Sequence, residues 1–345
     1  MEQITVNTAA PYTVYVGAGL SDHAGEEVEK LVRSEKIMVV SDENVFGLYG
    51  KKMLASLRER GFKCCAFIVS PGERSKAPSK LLALWDALAE NGFSRSDTLL
   101  SFGGGVVSDL GGLAAATYMR GMKHVIFSTT LLAMADASVG GKNAVDLKYG
   151  KNMVGTFYSP AAVFCDTDLL DTLPENVYRE GIAEIIKCGM ICSEELLFSL
   201  HGEPSSESLI AKAVRVKKEY VEKDENDNLE RHMLNFGHTL AHAAETLSDG
   251  RLSHGKAVAA GMFRMTSAAV KNGFCTPVTL DILNKILDKY KLPKSFPFSD
   301  SELCAAALND KKRAGKTITL ILPTGIGKAR LYDLPADDLY DFIIK

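Results

Sequence analysis

Hydrophobic and polar positions alternate in short blocks along the first half of the chain. Compact apolar runs predict buried strands, and amphipathic runs between them predict helices. The strands are expected at residues 36–40, 62–69, 97–102 and 125–130, and the helices at residues 48–60 and 78–91. Strands that alternate with helices are typical of a mainly parallel sheet covered by helices. We therefore expect an α/β domain of the Rossmann-like, nucleotide-binding type.

The pattern changes after Pro174. Helical periodicity dominates residues 176–200, 206–223 and 231–247, and the run TITLILP at residues 317–323 is the only obvious strand. A chain of 345 residues is also long for a single hydrophobic core. We therefore expect two domains, an α/β domain at residues 1–172 and a mostly helical domain at residues 173–345.

Composition and charge narrow the classes of function. The chain is 46% hydrophobic and 24% charged, with a formal net charge of -3, which gives no reason to expect a nucleic-acid or membrane partner. It shows no basic start followed by an apolar run, and no uncharged stretch near the roughly 18 residues that a membrane span needs. The seven cysteines lack C-x-x-C spacing and are expected to be reduced thiols, as in the cytoplasm.

A glycine run follows the third of the predicted strands. In SFGGGVVSDLGG, Gly103, Gly104 and Gly105 lie between a strand and an apolar helix, where bare amides and a helix N-terminus could hold a phosphate. Ser108 replaces the third glycine of the dinucleotide fingerprint, so a simple tight turn remains the alternative. Polar residues also end the other strands, in SDENV, PGERSK and the threonine pair at 129–130. Parallel strands bring such ends to one edge of the sheet, which favours a nucleotide site.

The stretch LNFGHTLAHAAE places His238 and His242 four residues apart, on one face of a helix. A zinc site needs a third ligand, and His254 is the nearest candidate, while Glu184 shares a helix face with Lys187. A glutamate and two histidines would suit zinc with one position open for water. A purely structural histidine pair remains the alternative at this point.

Basic and amide side chains accumulate near these motifs. Arg231 and Asn235 would share a helix face with His238 if that helix begins early enough, although Gly237 argues against it. Between the two halves, residues 136–152 form a dense polar stretch with lysines among glycines, which we expect to be a loop. It is either a solvated surface or a site for phosphate and carboxylate groups.

These stretches resemble 3-dehydroquinate synthase, a family of the sugar phosphate cyclase superfamily. The similar runs occur in the family's order and cover most of residues 11–330. They are SDENV, PGERSK, GGGVVSDLGGLAAATYMRG, TTLLAMADASVGGKNAV, GKNMVGTFYSP, LDTLP, GIAEIIKCG, LNFGHTLAHAAE and HGKAVAAGM. The resemblance implies a dehydroquinate synthase-like fold, an NAD cofactor, a zinc or cobalt ion and a homodimer in the cytoplasm.

The resemblance also implies a role for particular residues. It assigns the metal to Glu184, His238 and His254, which leaves His242 near the substrate phosphate as a group that assists proton transfer. NAD is expected at Asp42, Glu73, Lys76, Gly104, Gly105, Asp109, Thr129, Thr130, Lys142, Lys151 and Thr172. The substrate is expected at Asp136, Lys142, Asn152, Lys187, Lys217, Arg231, Asn235 and His242, with Arg120 contributed by the other subunit. The expected catalytic residues are His242, Lys142, Lys187, Arg231 and Asn235.

The implied reaction converts 3-deoxy-D-arabino-heptulosonate 7-phosphate, a sugar phosphate of the shikimate pathway to aromatic amino acids, into 3-dehydroquinate and phosphate. NAD would take a hydride from C5 and later return it, with β-elimination of phosphate between the two steps and an intramolecular aldol closure at the end. The enzyme would thus be a lyase that eliminates phosphate without net consumption of NAD. A substrate with a carboxylate and a phosphate requires a pocket with several cationic side chains.

Three positions depart from the family's usual pattern, since Ser108 and Ala241 replace glycines and Lys256 replaces a glutamate beside an expected metal ligand. A positive charge at Lys256 could weaken metal binding unless it faces solvent. Alternative interpretations are a sister cyclase that makes deoxyinosose or valiolone, and a metal-dependent polyol or glycerol phosphate dehydrogenase. Lys311 and Lys312 match a late basic motif, and the sequence does not say which of them would reach the phosphate.

Overall fold

The computed structural model describes residues 1–249, 251–311 and 316–344. These residues form two compact units. The first unit comprises Met1–Pro174 and Ser206–Asn226, and the second comprises Glu175–Ser205 and Asp227–Lys345. The chain therefore passes from the second unit back to the first at Ser206–Asn226 and then returns to the second.

A seven-stranded sheet forms the centre of the first unit. The strands of this unit are β1 Glu2–Val6, β2 Tyr12–Gly17, β3 Lys36–Asp42, β4 Lys63–Val69, β5 Thr98–Gly103, β6 Lys123–Ser128, β7 Lys142–Leu147, β8 Gly150–Phe157 and β9 Ala162–Asp166. The sheet has the order β1-β2-β9-β6-β5-β3-β4, and all neighbouring strands are parallel except β1 and β2. The four strands predicted from apolar runs are β3 to β6, and the expected parallel sheet is confirmed.

The central strands are apolar because helices cover the sheet. In β3 every residue from Ile37 to Ser41 is buried, and its register pairs Val39 with Leu100 of β5. Such continuous apolar runs are characteristic of parallel sheets that are buried on both faces. The helices of this part are α1 Ala24–Leu31, α2 Glu43–Val45, α3 Lys51–Glu59, α4 Pro78–Glu90 and α5 Gly105–Thr117. The helices predicted at residues 48–60 and 78–91 correspond to α3 and α4.

The polar stretch at residues 136–152 is not the loop that the sequence suggested. Strands β7 and β8 form an antiparallel hairpin in which Val145 pairs with Val154. The buried positions Asn143 and Val145 alternate with more exposed ones, as expected for a strand with one covered face. Lysines and glycines concealed this alternation in the sequence, and the loop prediction was wrong.

The second unit is mostly helical, as predicted. The remaining helices are α6 Glu175–Cys192, α7 Glu194–Ser199, α8 Ser206–Lys223, α9 His238–Leu247, α10 His254–Lys271, α11 Pro277–Lys289, α12 Asp300–Lys311 and α13 Leu339–Ile344, and all but α8 belong to this unit. The predicted strand TITLILP lies in β10, Thr317–Gly325, which pairs with β11, Lys328–Pro335. The sequence did not predict β11, because only one of its residues is buried.

The helix predicted at residues 231–247 is broken. A 3-10 helix covers Glu230–Asn235, and α9 begins only at His238. Gly237 between them has a φ of 78°, a left-handed conformation that an α-helix does not contain. Arg231 and Asn235 therefore do not share a helix with His238, as Gly237 had indicated.

Helix α8 packs within the first unit, although it follows the first two helices of the second. Its Glu222 accepts a hydrogen bond from the backbone N–H of Asn7 at 2.7 Å. As a division of function, the domain limits 1–172 and 173–345 remain a prediction. All seven cysteines are free thiols. Within the described residues, no helix combines the length and the apolar character that crossing a membrane requires.

Candidate active-site residues

Three helices of the second unit bring a glutamate and two histidines together. Glu184 lies in the middle of α6, and His238 and His254 are the first residues of α9 and α10. Oε1 of Glu184 is 3.2 Å from Nε2 of His254 and 3.9 Å from Nε2 of His238. One donor atom from each residue lies within 4.8 Å of the other two.

The donor groups of this trio fit a metal ion. Two imidazole nitrogens and one carboxylate oxygen form a ligand set that zinc and similar divalent ions accept, with a position left for water or substrate. The Glu184 side chain is only 1% exposed, and a buried carboxylate needs compensation of its charge. Its Oε2 forms an ion pair with Lys187, one helical turn further along α6.

Both histidines also have a contact on their second ring nitrogen. Nδ1 of His238 lies 3.0 Å from the carbonyl oxygen of Phe236. Nδ1 of His254 lies 3.4 Å from Oε1 of Glu245, which is on α9. Glu245 is the last residue of the stretch LNFGHTLAHAAE, and no role was predicted for it. Its spacing of seven residues from His238, two helical turns, was the available indication that it shares the face of the ligand.

The two imidazoles have opposite electrostatic environments. Burial lowers the pKa of His238 to about 3, and the positive charge of Lys187 acts in the same direction. Burial opposes the charge of His254 as well, but the carboxylates of Glu184 and Glu245 outweigh it and raise the pKa of His254 to about 10.

Close helix contacts set the positions of the ligands. A Cβ added to Gly255 would lie 2.4 Å from the Cα of Glu180, which is one turn before Glu184 on α6. On the other side of α10, a Cβ added to Gly261 would lie 2.2 Å from the carbonyl oxygen of Gly237. Helix α10 therefore lies against both ligand-bearing elements at positions where only glycine fits.

A small cavity near the trio is lined in part by other predicted residues of the second unit. Its volume is about 190 Å³, and it is lined by Asn235, His238, Thr239, His242, Ala243, Thr246, Ala306 and Ala307. His242 is exposed, and its ring centroid is 5.3 Å from that of His238. Arg231 and Lys187 are each only 2% exposed. Two buried cations in one compact unit are suited to an anionic ligand.

In the first unit, the predicted NAD residues follow the carboxyl ends of neighbouring strands. Asp42 ends β3 and accepts hydrogen bonds from the backbone N–H groups of Asn44 and Val45 at 2.9 and 3.1 Å. Gly104 is the N-cap of α5 and provides no side-chain cap, so the first amides of this long helix are available to a ligand. Thr129 follows β6, and its buried Oγ1 has no hydrogen-bond partner among the described residues. In the sheet, β4 lies on one side of β3 and β5 lies on the other, so the strand order reverses between β3 and β5. Nucleotides bind at this point in such sheets.

An ionic cluster lies in the same unit. Nζ of Lys76 is 2.5 Å from Oδ2 of Asp109 and 4.0 Å from Oε1 of Glu73, and Nζ of Lys151 is 3.8 Å from that same Glu73 oxygen. Burial raises the pKa of Asp109 to about 6 against the opposing effect of Lys76. Burial also opposes the charge of Lys76, but Asp109 and Glu73 outweigh it and raise the pKa of Lys76. The structure thus brings four of the predicted NAD residues together.

Lys217 and Asp136 contact each other within the first unit. It lies on α8, and its Nζ forms an ion pair with Oδ1 of Asp136 and donates a 2.7 Å hydrogen bond to the carbonyl oxygen of that residue. The Lys217 side chain is only 9% exposed. The two predicted substrate residues are therefore direct partners, although they are 81 residues apart in the sequence.

The remaining predicted residues are more exposed or have other contacts. Oγ1 of Thr172 lies 2.6 Å from the hydroxyl of Tyr49, and Oγ1 of Thr130 accepts a 3.2 Å hydrogen bond from the backbone of Ala133. Exposed residues in this group include Arg120, Lys142 and Asn152. Lys256, which replaces the family's usual glutamate, is exposed as well. Gly105 begins α5. The prediction for the late basic motif stays open, since Lys312 and the Lys311 side chain lie outside the described residues.

Comparisons with known proteins agree along most of the chain. A family model described as 3-dehydroquinate synthase N-terminal matches residues 66–180, and one described as 3-dehydroquinate synthase C-terminal matches residues 181–313. The 3-dehydroquinate synthase of Clostridium acetobutylicum is 37% identical over 341 residues, which cover 96% of each of the two chains.

Solved structures show the same fold. The 2-epi-5-epi-valiolone synthase of Streptomyces hygroscopicus subsp. jinggangensis 5008, with NAD+ and Zn2+ bound, has a TM-score of 0.89 at 25% identity and covers 99% of this chain and 98% of its own. A 2-deoxy-scyllo-inosose synthase complexed with carbaglucose-6-phosphate, NAD+ and Co2+ has the same TM-score at 22% identity, with 99% of both chains covered. The second likeness shows the fold alone. The dehydroquinate synthase-like fold expected from the sequence is confirmed.

Proposed function

The chain belongs to the 3-dehydroquinate synthase family, and on this premise we propose that it converts 3-deoxy-D-arabino-heptulosonate 7-phosphate to 3-dehydroquinate and inorganic phosphate. The reaction is that of a carbon–oxygen lyase. The observation that carries the proposal is the convergence of Glu184, His238 and His254, from three helices, on one point of the second unit. The family assignment covers both halves of the chain, whereas the valiolone and deoxyinosose cyclases share no more than 25% identity with it.

The proposal includes two bound groups, NAD and a divalent metal ion, either zinc or cobalt. When bound, these groups supply reversible hydride transfer and polarisation of a substrate hydroxyl. The metal would be held by Glu184, His238 and His254. The NAD would be held in the first unit by Asp42, Glu73, Lys76, Gly104, Gly105, Asp109, Thr129, Thr130, Lys142, Lys151 and Thr172.

The protein's own side chains would bind and orient the substrate. In the second unit, the buried cations Lys187 and Arg231 would bind carboxylate or phosphate oxygens, because charge-assisted hydrogen bonds to such groups are strong. The exposed His242, beside the cavity, would assist proton transfer. In the first unit, Lys217 would exchange its contact with Asp136 for a contact with substrate. The other proposed substrate residues are Asn235, Lys142, Asn152 and Arg120.

We also expect the active form to be a homodimer. On β8, Met153 and Phe157 lie on the same face and are 46% and 42% exposed, and the nearby turn after α5 exposes Met119. Exposed apolar side chains on a two-stranded hairpin are typical of a surface that a partner covers. Light scattering should give a mass near twice 37.4 kDa, and Met153→Lys should shift it towards the monomer. The location in the cytoplasm remains a prediction, which the free thiols support.

The deciding experiment follows phosphate release and NADH absorbance in one cuvette. With the heptulosonate phosphate and NAD, we expect phosphate release without net NADH, and loss of that release after a chelator removes the metal. His254→Ala should lose both activity and bound metal, whereas the control His201→Ala, an exposed histidine stacked on Phe198, should keep both. Phosphate release only from glucose 6-phosphate or a heptulose 7-phosphate would assign a sister activity instead. Stoichiometric NADH would indicate a dehydrogenase.

A further inference from the structure

Glu245 is a buried carboxylate that the proposed function does not use. It lies on α9, two helical turns after His238, and is only 3% exposed. Its Oε1 is 3.4 Å from Nδ1 of His254, the first residue of the neighbouring helix α10. Burying a carboxylate is costly, so its position against the histidine requires an explanation.

The geometry of the imidazole distinguishes a ligand from a positioning group. The two ring nitrogens of His254 point in different directions, and Nε2 is the one that lies 3.2 Å from Oε1 of Glu184. Glu245 contacts the other nitrogen, Nδ1, and is therefore on the far side of the ring from the trio of donors. A metal bound by the trio would be reached by the ring of His254 and not by Glu245.

The same arrangement recurs at the second histidine. Nδ1 of His238 lies 3.0 Å from the carbonyl oxygen of Phe236, while its Nε2 faces Glu184. Each imidazole thus has an acceptor on Nδ1 and directs Nε2 towards the same carboxylate. An acceptor on one nitrogen fixes the proton there, orients the ring and leaves the other nitrogen free to bind a metal.

We propose that Glu245 is the positioning residue of the metal centre, which accepts the Nδ1–H of His254 and so presents Nε2 to the ion. This inference rests on the proposed function, because it assumes that the trio holds a metal. It adds a residue that acts through a ligand and touches neither metal nor substrate. Loss of such an outer contact typically weakens metal binding by about 10- to 100-fold.

The test compares metal affinity among three variants. The probe is Co2+, titrated into metal-free protein in competition with a chelator and followed through its visible absorption bands, which report the ligand set. Glu245→Ala should weaken Co2+ binding by about 10- to 100-fold. Glu245→Gln should stay within a few-fold of the parent protein, because its amide oxygen can accept the same hydrogen bond. The control Asp300→Ala breaks the ion pair with Arg264 in the same unit and should keep the parent affinity.

A direct measurement needs no variant. Histidine labelled with ¹⁵N in the Zn2+-loaded parent protein should show Nδ1 of His254 protonated and Nε2 as the metal-bound nitrogen. A deprotonated Nδ1 would overturn the inference. Parent-like Co2+ affinity in Glu245→Ala would also overturn it. So would an equal loss of Co2+ affinity in Asp300→Ala, because the loss in Glu245→Ala would then reflect general destabilisation of the unit. A parent protein that binds no Co2+ at all would sink the metal centre itself, and the proposed function with it.

Discussion

Replacing Gly255 with alanine should displace one metal ligand without touching any donor atom. Gly255 is the second residue of α10, directly after His254. An added Cβ would lie 2.4 Å from the Cα and 2.7 Å from the carbonyl oxygen of Glu180 on α6. Both are backbone atoms, so no side-chain rotation can relieve the clash, and α6 and α10 must move apart.

The size of that movement follows from the distances. Ordinary van der Waals contacts of a Cβ begin at 3.4 Å, so the start of α10 has to retreat from α6 by about 1 Å. Metal sites tolerate ligand displacements of roughly 0.2 Å, several times less than this shift. We therefore expect Gly255→Ala to weaken metal binding at least about tenfold, and overpacking to reduce the free energy of unfolding by about 1–3 kcal/mol.

The assay is Zn2+ affinity by competition with a chelator, together with thermal unfolding of the metal-free protein. The matched control is Gly47→Ala, because nothing lies within 4 Å of its added Cβ and its helical backbone suits alanine. That variant should keep the parent affinity and gain about 0.4–1 kcal/mol of stability. If Gly255→Ala binds Zn2+ within twofold of the parent, the helix contact does not set the position of His254 and the reasoning is wrong.

Three further predictions concern stability. Because burial lowers the pKa of His124 to about 3, the unfolded chain binds a proton there between about pH 6.5 and 3 while the folded chain does not. In urea unfolding, this histidine should by itself contribute a loss of about 1.4 kcal/mol per pH unit below pH 6.5, and His124→Gln should reduce the parent's pH slope by that amount. Lys256→Glu should raise stability by about 0.3–1 kcal/mol at low salt, because this exposed side chain lies in the first turn of α10, where the helix dipole favours a negative charge. Lys76→Met should cost about 3–5 kcal/mol, because it leaves the charge of Asp109 largely buried without its partner, whereas Lys63→Met, at an exposed ion pair, should have little effect.

Each of these has a contrary outcome. An unchanged pH slope in His124→Gln would show that this histidine is not the group that the unfolded state protonates. A Lys256→Glu variant that is less stable, or a gain that persists at high salt, would contradict the dipole explanation. Equal losses in Lys76→Met and Lys63→Met would show that burial does not decide the strength of these ion pairs.

The sequence predicted the elements whose patterns are local. Apolar runs identified β3 to β6, and the ends of β3, β5 and β6 carry Asp42, the glycines and Thr129 as expected. The metal trio was predicted from the resemblance to a known family. The structure brings its members together, although Glu184 and His254 are 70 residues apart in the chain. Their convergence depends on helix packing, which no local pattern encodes.

The errors also have a physical cause. The periodicity of residues 231–247 continues across Gly237, although that glycine argued against a continuous helix, and its backbone φ of 78° separates the two segments. The hairpin β7–β8 is rich in lysine and glycine, and its pairing of Val145 with Val154 depends on contacts across the turn. The contact of Glu245 with His254 depends on the packing of α9 on α10, which a single sequence does not specify.

The path of the chain between the units has a consequence for synthesis on the ribosome. Residues Met1–Pro174 emerge first, but the first unit gains α8, and with it the Lys217 partner of Asp136, only after α6 and α7 have been made. Glu184 is joined by His238 and His254 only after α9 and the start of α10 have been made. A nascent chain stopped after Asn226 would carry the whole first unit together with α6 and α7, before α9, α10 and the rest of the second unit have been made. Such intermediates are prone to aggregate, so slow translation or a stalled ribosome in this interval exposes the protein to chaperones and proteases.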